Sequence, residues 1–445
     1  MGLSGLDIYK KLPQDNCGDC GPPTCLAFAM QLAEGKASLD ECPHVTDEAK
    51  AELDAAAAPP INLVEIGSED TTQVELGNET ELFRHDKRFF NKTGIAVKVS
   101  DQLEEEALKE RLERVNDLQI TRVGLVHDVR MLAVVNDSGA ADQYLETLKK
   151  VVAGSDLALI LVCEDPEVAA EALELVADRN PLLYGATVDN YQQLAALAEE
   201  HEVTLGVKGE NLEELAELSQ KVMDEGCKDL IIDSGARNTS QVLADQTQIR
   251  RQAVEKKFRP FGHPTITFTS KEDPASEMVQ AGVYVAKYAG IVVIDQDLPK
   301  YVLPMLTVRQ DIYTDPQKPV TVEPKLHEVG EVHEESPVII TTNFSLTYYS
   351  VEGDVGSVPS YILPVDTDGT SVLTAWAADK FSPKKIAEFM EETGVADKVS
   401  HKKVIIPGLV AVISGKLELE SGWEVIVGPR ESAGLRSFLK KEWSA

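Results

Sequence analysis

Residues 157–226 read "LALILVCEDPEVAAEALELVADRNPLLYGATVDNYQQLAALAEEHEVTLGVKGENLEELAELSQKVMDEG". Three short β-rich runs, "LALILVCEDP", "PLLYGATVDN" and "VTLGVKGEN", are each followed by an acidic stretch rich in Ala and Leu, such as "PEVAAEALELVADRN". A strand that is apolar on successive residues is covered on both faces, so this alternation implies a parallel sheet flanked by amphipathic helices. The same rhythm continues outward through "GIAVKVS", "KDLIIDSGARN", "TITFTS" and "GIVVIDQDL", over residues 93–311. About 220 residues of this pattern fit a (β/α)8 TIM-like barrel better than a five-stranded open sheet.

Beyond the barrel, "YTDPQKPVTVEPKLHEVGEVHEES" (313–336) is rich in proline and charge and marks a boundary. Residues 325–445 then restart the α/β rhythm with "PVIITTNFSL", "SYILPVDTDG", the helical "SPKKIAEFMEETG", "KKVIIPGLVAVISGKLELESGWEVIVGP" and a terminal helix "RESAGLRSFLKKEW". Four or five strands with few helices suggest a compact Rossmann-like domain. Before the barrel, residues 1–57 hold a cysteine cluster and a helical stretch "TDEAKAELDAAAA" (46–58), which Thr46 can cap and Pro59 and Pro60 stop. Residues 58–92 are polar with short alternating pieces and read as a linker with some strand character. The "AAAAPP" junction and this linker offer few apolar contacts, so the N-terminal domain is expected to move relative to the rest. The expected fold class is multidomain α/β.

The 445 residues carry 75 Asp and Glu against 43 Lys and Arg, a formal charge of −32. Phosphate backbones and anionic lipid are bound through Lys and Arg, so nucleic acid and membrane surfaces are excluded as expected partners. No apolar run reaches the roughly 18 to 20 residues of a membrane span. The opening "MGLSGLDIYKKLPQDN" lacks the apolar core of a secretory signal, and Leu6 stands where a myristoylation signal needs Ser or Thr. A cytoplasmic protein is expected.

"NCGDCGPPTC" (16–25) places Cys17, Cys20 and Cys25 in one loop, with Cys42 following after sixteen residues and preceding Pro43. Cys163 and Cys227 lie in or beside apolar runs and read as structural. A disulfide framework is unsuited to a cytosolic chain of this size, whereas clustered thiolates suit a metal. Three close thiolates and a fourth returning from elsewhere have the shape of an iron-sulfur site. Gly18, Gly21, Pro22 and Pro23 keep the loop off a helical path, which lets backbone N–H groups face cluster sulfurs. The stretch "CLAFAMQLAEGKA" then reads as an apolar-faced helix over the site, ending near Gly35. A zinc site would need paired CxxC knuckles or histidines, of which only His44 is near. A thioredoxin-like pair would need a βαβ setting that is missing here. The 4Fe-4S reading is preferred, with zinc left open.

"CGDCGPPTCLAFAMQLAEGKASLDECP", a barrel-like middle, and the C-terminal "TDGTSVLTAWAADKFSP" and "IIPGLVAVISGKLELESGWEVIVGPRESAGL" together resemble the large (gamma) subunit of corrinoid/iron-sulfur proteins of the acetyl-CoA pathway, over essentially the whole chain. The resemblance implies a 4Fe-4S cluster domain (1–57), a linker (58–92), a TIM barrel (93–311) and a corrinoid (cobamide)-binding domain (325–445). It implies a methyl carrier acting in methyltransferase chemistry. The Co(I) form of a corrinoid accepts a methyl group from methyltetrahydrofolate, or a pterin analogue, through a separate methyltransferase. It then passes the methyl to the nickel site of acetyl-CoA synthase/CO dehydrogenase. The cluster returns inactive Co(II) to use with one electron, drawn from a donor such as ferredoxin. A small subunit completes a heterodimer. The family's corrinoid is held base-off, and none of the eight histidines here has the Asp-x-His-x-x-Gly setting that supplies a lower cobalt ligand in many corrinoid domains. The rivals are an iron-sulfur electron-transfer protein without corrinoid, and a barrel hydrolase or methyltransferase with a zinc-binding N-terminal domain.

By the same resemblance, Cys17, Cys20, Cys25 and Cys42 are the metal ligands. The cofactor-binding candidates are Thr342, Leu346, Thr370, Ser371, Val372, Leu373, Thr374, Gly408, Gly415, Gly428, Pro429, Glu431 and Ala433. Thr374 is the candidate to lie beneath cobalt. Gly408, Gly415 and Gly428 read as turns beside apolar runs where a flat ligand could approach. Residues 428–433, Ser432 included, are expected to open the last helix, whose N-terminus could meet a phosphate. In the barrel, Asp128, Glu164, Asp165, Asp233 and Asp295 lie near expected strand ends, where barrel enzymes keep catalytic groups. Acidic loop residues are common in so acidic a chain, and no barrel catalytic residue is named. The corrinoid domain is expected to move so that one cobalt can face several partners in turn.

Overall fold

The structure, a computed structural model, describes residues 5–33, 36–46, 49–50, 53 and 59–444. Most of the helix expected over 46–58, the "AAAA" junction and the helix end near Gly35 lie outside the described residues. The strands are β1 (Ile61–Ile66), β2 (Val74–Glu79), β3 (Gly94–Ser100), β4 (Gln119–Arg122), β5 (Leu125–Asp128), β6 (Met131–Val135), β7 (Ala158–Val162), β8 (Leu182–Ala186), β9 (Thr204–Lys208), β10 (Leu230–Asp233), β11 (Ile266–Phe268), β12 (Ile291–Ile294), β13 (His327–Val329), β14 (Val338–Thr342), β15 (Ser360–Val365), β16 (Lys403–Ile406) and β17 (Glu424–Val427). The helices are α1 (Gly5–Tyr9), α2 (Cys25–Ala33), α3 (Glu105–Asn116), α4 (Ala141–Gly154), α5 (Pro166–Val176), α6 (Tyr191–Glu200), α7 (Leu212–Asp224), α8 (Thr239–Lys256), α9 (Pro274–Ala286), α10 (Pro299–Tyr313), α11 (Ser345–Val355), α12 (Val372–Ala377), α13 (Pro383–Glu392), α14 (Ser414–Ser421) and α15 (Leu435–Glu442).

The chain divides into two compact units, one of residues 1–82, 90–116 and 129–305, the other of 83–89, 117–128 and 306–445. In the first, eight parallel strands run β10-β9-β8-β7-β6-β3-β12-β11. A parallel bridge between Ile232 and Thr265, with the Ile232 N–H donating to Pro264 at 2.9 Å, joins β10 to the approach of β11 and closes the barrel. Each barrel strand is followed by a helix, α3 to α10 in turn. The quoted apolar runs supply seven of these strands. The eighth, β6, "MLAVV", is not distinguished in the sequence because the hairpin β4–β5 runs straight into it.

The stretch read as a linker is in part a barrel element. β1 and β2 form an antiparallel hairpin whose Val64, Ile66, Val74 and Leu76 are buried in the barrel core with Ala96, Met131 and Ile160. Its backbone bonds go to residues preceding barrel strands: Gly67 N–H to Asn180, Thr72 N–H to Asp156 and Asn62 N–H to Gly262. The hairpin therefore floors the N-terminal mouth. Glu79, at its end, accepts from the Phe90 N–H at 2.9 Å and pairs with the buried Arg250 of α8 at 3.0 Å.

His263, at the same end of the barrel, is 1% exposed and neither ring nitrogen has a hydrogen-bond partner. Burial, and then the charge of Arg259, pushes its pKa down to about 4. The unfolded chain takes up this proton near the ordinary histidine value of 6.5, the folded barrel only near 4. Stability is thus expected to fall as pH drops from 6.5 towards 4, by up to roughly 3 kcal/mol for this group. Urea titrations across that range should show the slope flatten in His263→Leu.

In the second unit a five-stranded sheet runs β13-β15-β14-β16-β17, parallel except for the edge strand β13. Its four parallel strands, in chain order, stand 2-1-3-4, a doubly wound arrangement whose strand order reverses between β14 and β16. Helices are more numerous than expected: "GLVAVISGKLELE" is a 3-10 turn running into α14, not strand. Val410, Ile413 and Leu417 are buried at helical spacing while Val412 and Leu419 face out, so the β-branched residues mislead. The Pro-rich segment at 313–336 is also part of this unit. Val322 N–H donates to Asn343, Ser345 N–H donates to Val320, and β13 pairs with β15.

The hairpin β4–β5 lies within barrel sequence but belongs to the second unit. Gly124 at its tip (φ 73°) faces Tyr349 of α11, whose hydroxyl would lie 2.1 Å from any Cβ there. Arg122 Nη1 donates to Gln310 at 2.6 Å, and Arg309 Nη2 donates to the Asp128 carbonyl at 2.8 Å. Asp128 thus sits in this hairpin and not at a barrel strand end.

Candidate cofactor sites

Cys20, Cys25 and Cys42 are buried in a small apolar core with Ile8, Leu12, Phe28 and Ala29, while Cys17 is exposed. None of the four forms a disulfide. The Cys20 thiol is raised above its ordinary pKa by burial and then by Cys42, with smaller contributions from Cys17 and Cys25. The loop takes positive φ at Asn16, Gly18 and Gly21. A Cβ at either glycine would meet nothing, so these glycines serve the backbone turn. Asn16 N–H lies 3.4 Å from Cys25 Sγ, and its side-chain oxygen accepts from the Cys25 N–H at 2.9 Å. Thr24 caps α2 through the Ala27 N–H. Among the described residues, Cys17, Asp19 and His44 also bring one donor atom each within 4.8 Å of one another, with His44 Nε2 2.7 Å from Asp19 Oδ2. His44 and then Cys17 hold the Asp19 carboxyl below its usual pKa.

The second site is a cavity of about 350 Å³ outside the carboxyl ends of β14 and β16, the point where the strand order reverses. Ligands of open α/β sheets bind at such points. Of the residues singled out from sequence, Leu346, Ser371, Val372, Leu373, Gly428, Pro429, Glu431 and Ser432 line it; Thr342, Thr370, Thr374, Gly408, Gly415 and Ala433 do not. Thr374 is exposed on α12, its hydroxyl 3.1 Å from that of Ser371. Thr370 closes a small turn by donating to the Thr367 carbonyl at 2.8 Å.

Gly408 has a packing reason, since a Cβ there would stand 2.5 Å from the Gly428 carbonyl oxygen. Gly415 lies in the first turn of α14 facing open space, so it is neither a turn residue nor part of the cavity. Residues 428–431 form a loop, Ser432–Gly434 a 3-10 turn, and α15 starts only at Leu435, so the last helix opens later than the sequence suggests.

One lining residue that escaped the sequence is Thr341. Its hydroxyl, like those of Thr342 and Ser345, is buried with no hydrogen-bond partner. Leu346, Leu373, Trp376 and Val412 are exposed, between 43% and 74%. In the barrel, the remaining acidic candidates have structural partners. Asp165 caps α5 through the Glu167 N–H, Glu164 pairs with Lys208 at 2.7 Å, and Asp295 pairs with Arg111 at 3.1 Å. Asp233, 2% exposed, is held between the Tyr184 hydroxyl at 2.6 Å and Arg237 at 2.9 Å.

The family profile described as "CO dehydrogenase/acetyl-CoA synthase delta subunit" matches residues 63–439, and one described as "Putative Fe-S cluster" matches 12–44. The corrinoid/iron-sulfur protein large subunit of Moorella thermoacetica is 53% identical over 442 residues, covering 99% of each chain. This chain belongs to the corrinoid/iron-sulfur large-subunit family. Another relative of the family is the acetyl-CoA decarbonylase/synthase complex subunit gamma of Methanopyrus kandleri, 37% identical over 99% of this chain and 98% of its own. A solved 7,8-dihydropteroate synthase from Vibrio fischeri ES114 overlaps 52% of this chain and 98% of its own, at 14% identity and a TM-score of 0.38. No described helix of this family member is long and apolar enough to cross a membrane.

Proposed function

We propose that the chain is the corrinoid- and cluster-bearing subunit of a methyl carrier in the acetyl-CoA pathway. The observation that carries this reading is the cavity at the switch point of the second unit, with the buried and unpartnered hydroxyl of Thr341 in its wall. A bound corrinoid would supply cobalt able, as Co(I), to take a methyl group from a methylpterin through a methyltransferase and give it to the nickel of acetyl-CoA synthase. Thr341 offers a donor inside the cavity, and Ser371 and Glu431 bring polar groups to its wall. Its volume is at the low end of the roughly 300 to 1,000 Å³ of drug-sized sites. It therefore suits an arm or nucleotide tail, with the macrocycle resting on the exposed Leu346, Leu373 and Trp376. An apolar rim of this kind needs covering, which the small subunit would do.

Cys17, Cys20, Cys25 and Cys42 would hold a 4Fe-4S cluster that re-reduces Co(II), fed by a small electron donor such as ferredoxin. Asn16 N–H, directed at Cys25 Sγ, would stabilise negative charge on the ligand sulfur.

Anaerobic purification with the small subunit tests the reading. About four irons and about one cobalt per chain are expected, with a corrin absorption band. The Co(II) EPR spectrum should show no nitrogen splitting from an axial ligand. Iron without cobalt would leave an electron carrier. Zinc in place of iron would favour a structural site using Cys17 and His44, whose donor atoms already lie close.

A further inference from the structure

Asn343 follows β14 directly and is 3% exposed, yet it does not line the cavity. Its side-chain hydrogen bonds all go to one segment, the loop 366–371 that carries the chain from β15 into α12. Oδ1 accepts from the N–H groups of Thr367 at 2.9 Å and Gly369 at 3.1 Å. The Thr367 hydroxyl shares its proton between Asn343 Oδ1 at 3.1 Å and the Thr370 carbonyl at 3.0 Å. Nδ2 donates to Asp366 Oδ1 at 2.9 Å.

The loop needs such a template. Asp368 and Gly369 both take positive φ, 52° and 68°, and a non-glycine residue holds that conformation only where its surroundings dictate it. Gly369 cannot carry a side chain, since a Cβ would come within 2.8 Å of Thr321 and Pro319. Thr367 is fully buried, and the small turn it makes with Thr370 is anchored by Asn343. Ser371 and Leu373, which line the cavity, and Thr374 follow at once.

We infer that Asn343 is a positioning residue: it shapes the loop 366–371 and so sets where Ser371, Leu373 and Thr374 stand against the cofactor. This rests on the corrinoid reading above. The chemistry also explains why the amide must be at 343. Asp366 is its acceptor, so a carboxylate at 343 would face another at hydrogen-bond distance, whereas exchanging the two side chains restores a donor and an acceptor.

The test uses the full chain with its small subunit, as Asn343→Asp and as Asn343→Asp with Asp366→Asn. Amide hydrogen exchange is followed without cofactor, and corrin retention is measured after gel filtration. In the single variant the amides of 366–374 should exchange at least about tenfold faster while β14 and β16 stay protected, and corrin retention should fall about as much. The exchanged pair should recover both. Wild-type exchange in Asn343→Asp, or a double variant no better than the single, would overturn the inference. A wild-type complex that holds no corrin would instead sink the cofactor reading, and the exchange pattern would still decide the role of Asn343.

Discussion

Replacing Cys20 and Cys25 together by alanine is expected to take iron from about four atoms per chain to near zero while leaving cobalt in place. Both sulfurs are buried in the core formed with Ile8, Leu12 and Phe28, and two thiolates are too few to hold a cubane. The cavity assigned to the corrinoid is lined only by residues of the second unit, so its cofactor should stay. Metal analysis of the anaerobic complex reads both quantities at once. Iron at the wild-type level would remove these cysteines from the ligand set. Loss of cobalt along with iron would show that the two sites do not fold independently.

Glu79→Ala is expected to destabilise the barrel by about 2 to 3 kcal/mol, because it removes a charged hydrogen-bond partner of the buried Arg250 guanidinium. The side chains of Arg250 and Glu79 are only 4% and 9% exposed, and the second carboxylate oxygen of Glu79 holds the Phe90 N–H. Arg250 keeps its bonds to the Glu81 carbonyl, which hold the guanidinium in place. Urea denaturation of wild type and variant gives the difference. On the linker reading of residues 58–92 the substitution would be nearly silent.

That contrast shows what local pattern can and cannot carry. The barrel is legible because its strands are apolar on every residue, as in "LALILV", and because its helices keep their acidic faces. The cysteine cluster is legible because three of its members, Cys17, Cys20 and Cys25, fall within ten residues. The floor of the barrel is not: Val64, Ile66, Val74 and Leu76 alternate with polar neighbours and look like any exposed hairpin until their contacts with Met131 and Ile160 are seen. The segment 408–421 fails for the opposite reason, since Val410, Val412 and Ile413 favour strand by propensity while their burial follows a helix. Asn343 is invisible for a third reason. Its partners lie 23 to 26 residues away, and nothing in "TTNFSL" marks one amide as the template of a distant loop.

The assembly of the second unit from three stretches of chain has a consequence for how the protein is made. A ribosome releases residues 83–89 and 117–128 long before the strands and helices that complete their unit exist. The surface of the hairpin that Tyr349 will cover must wait through synthesis of most of the barrel. In that interval, nascent chains are exposed to mispairing, and the last third of the protein expressed alone would begin life lacking part of its own wall.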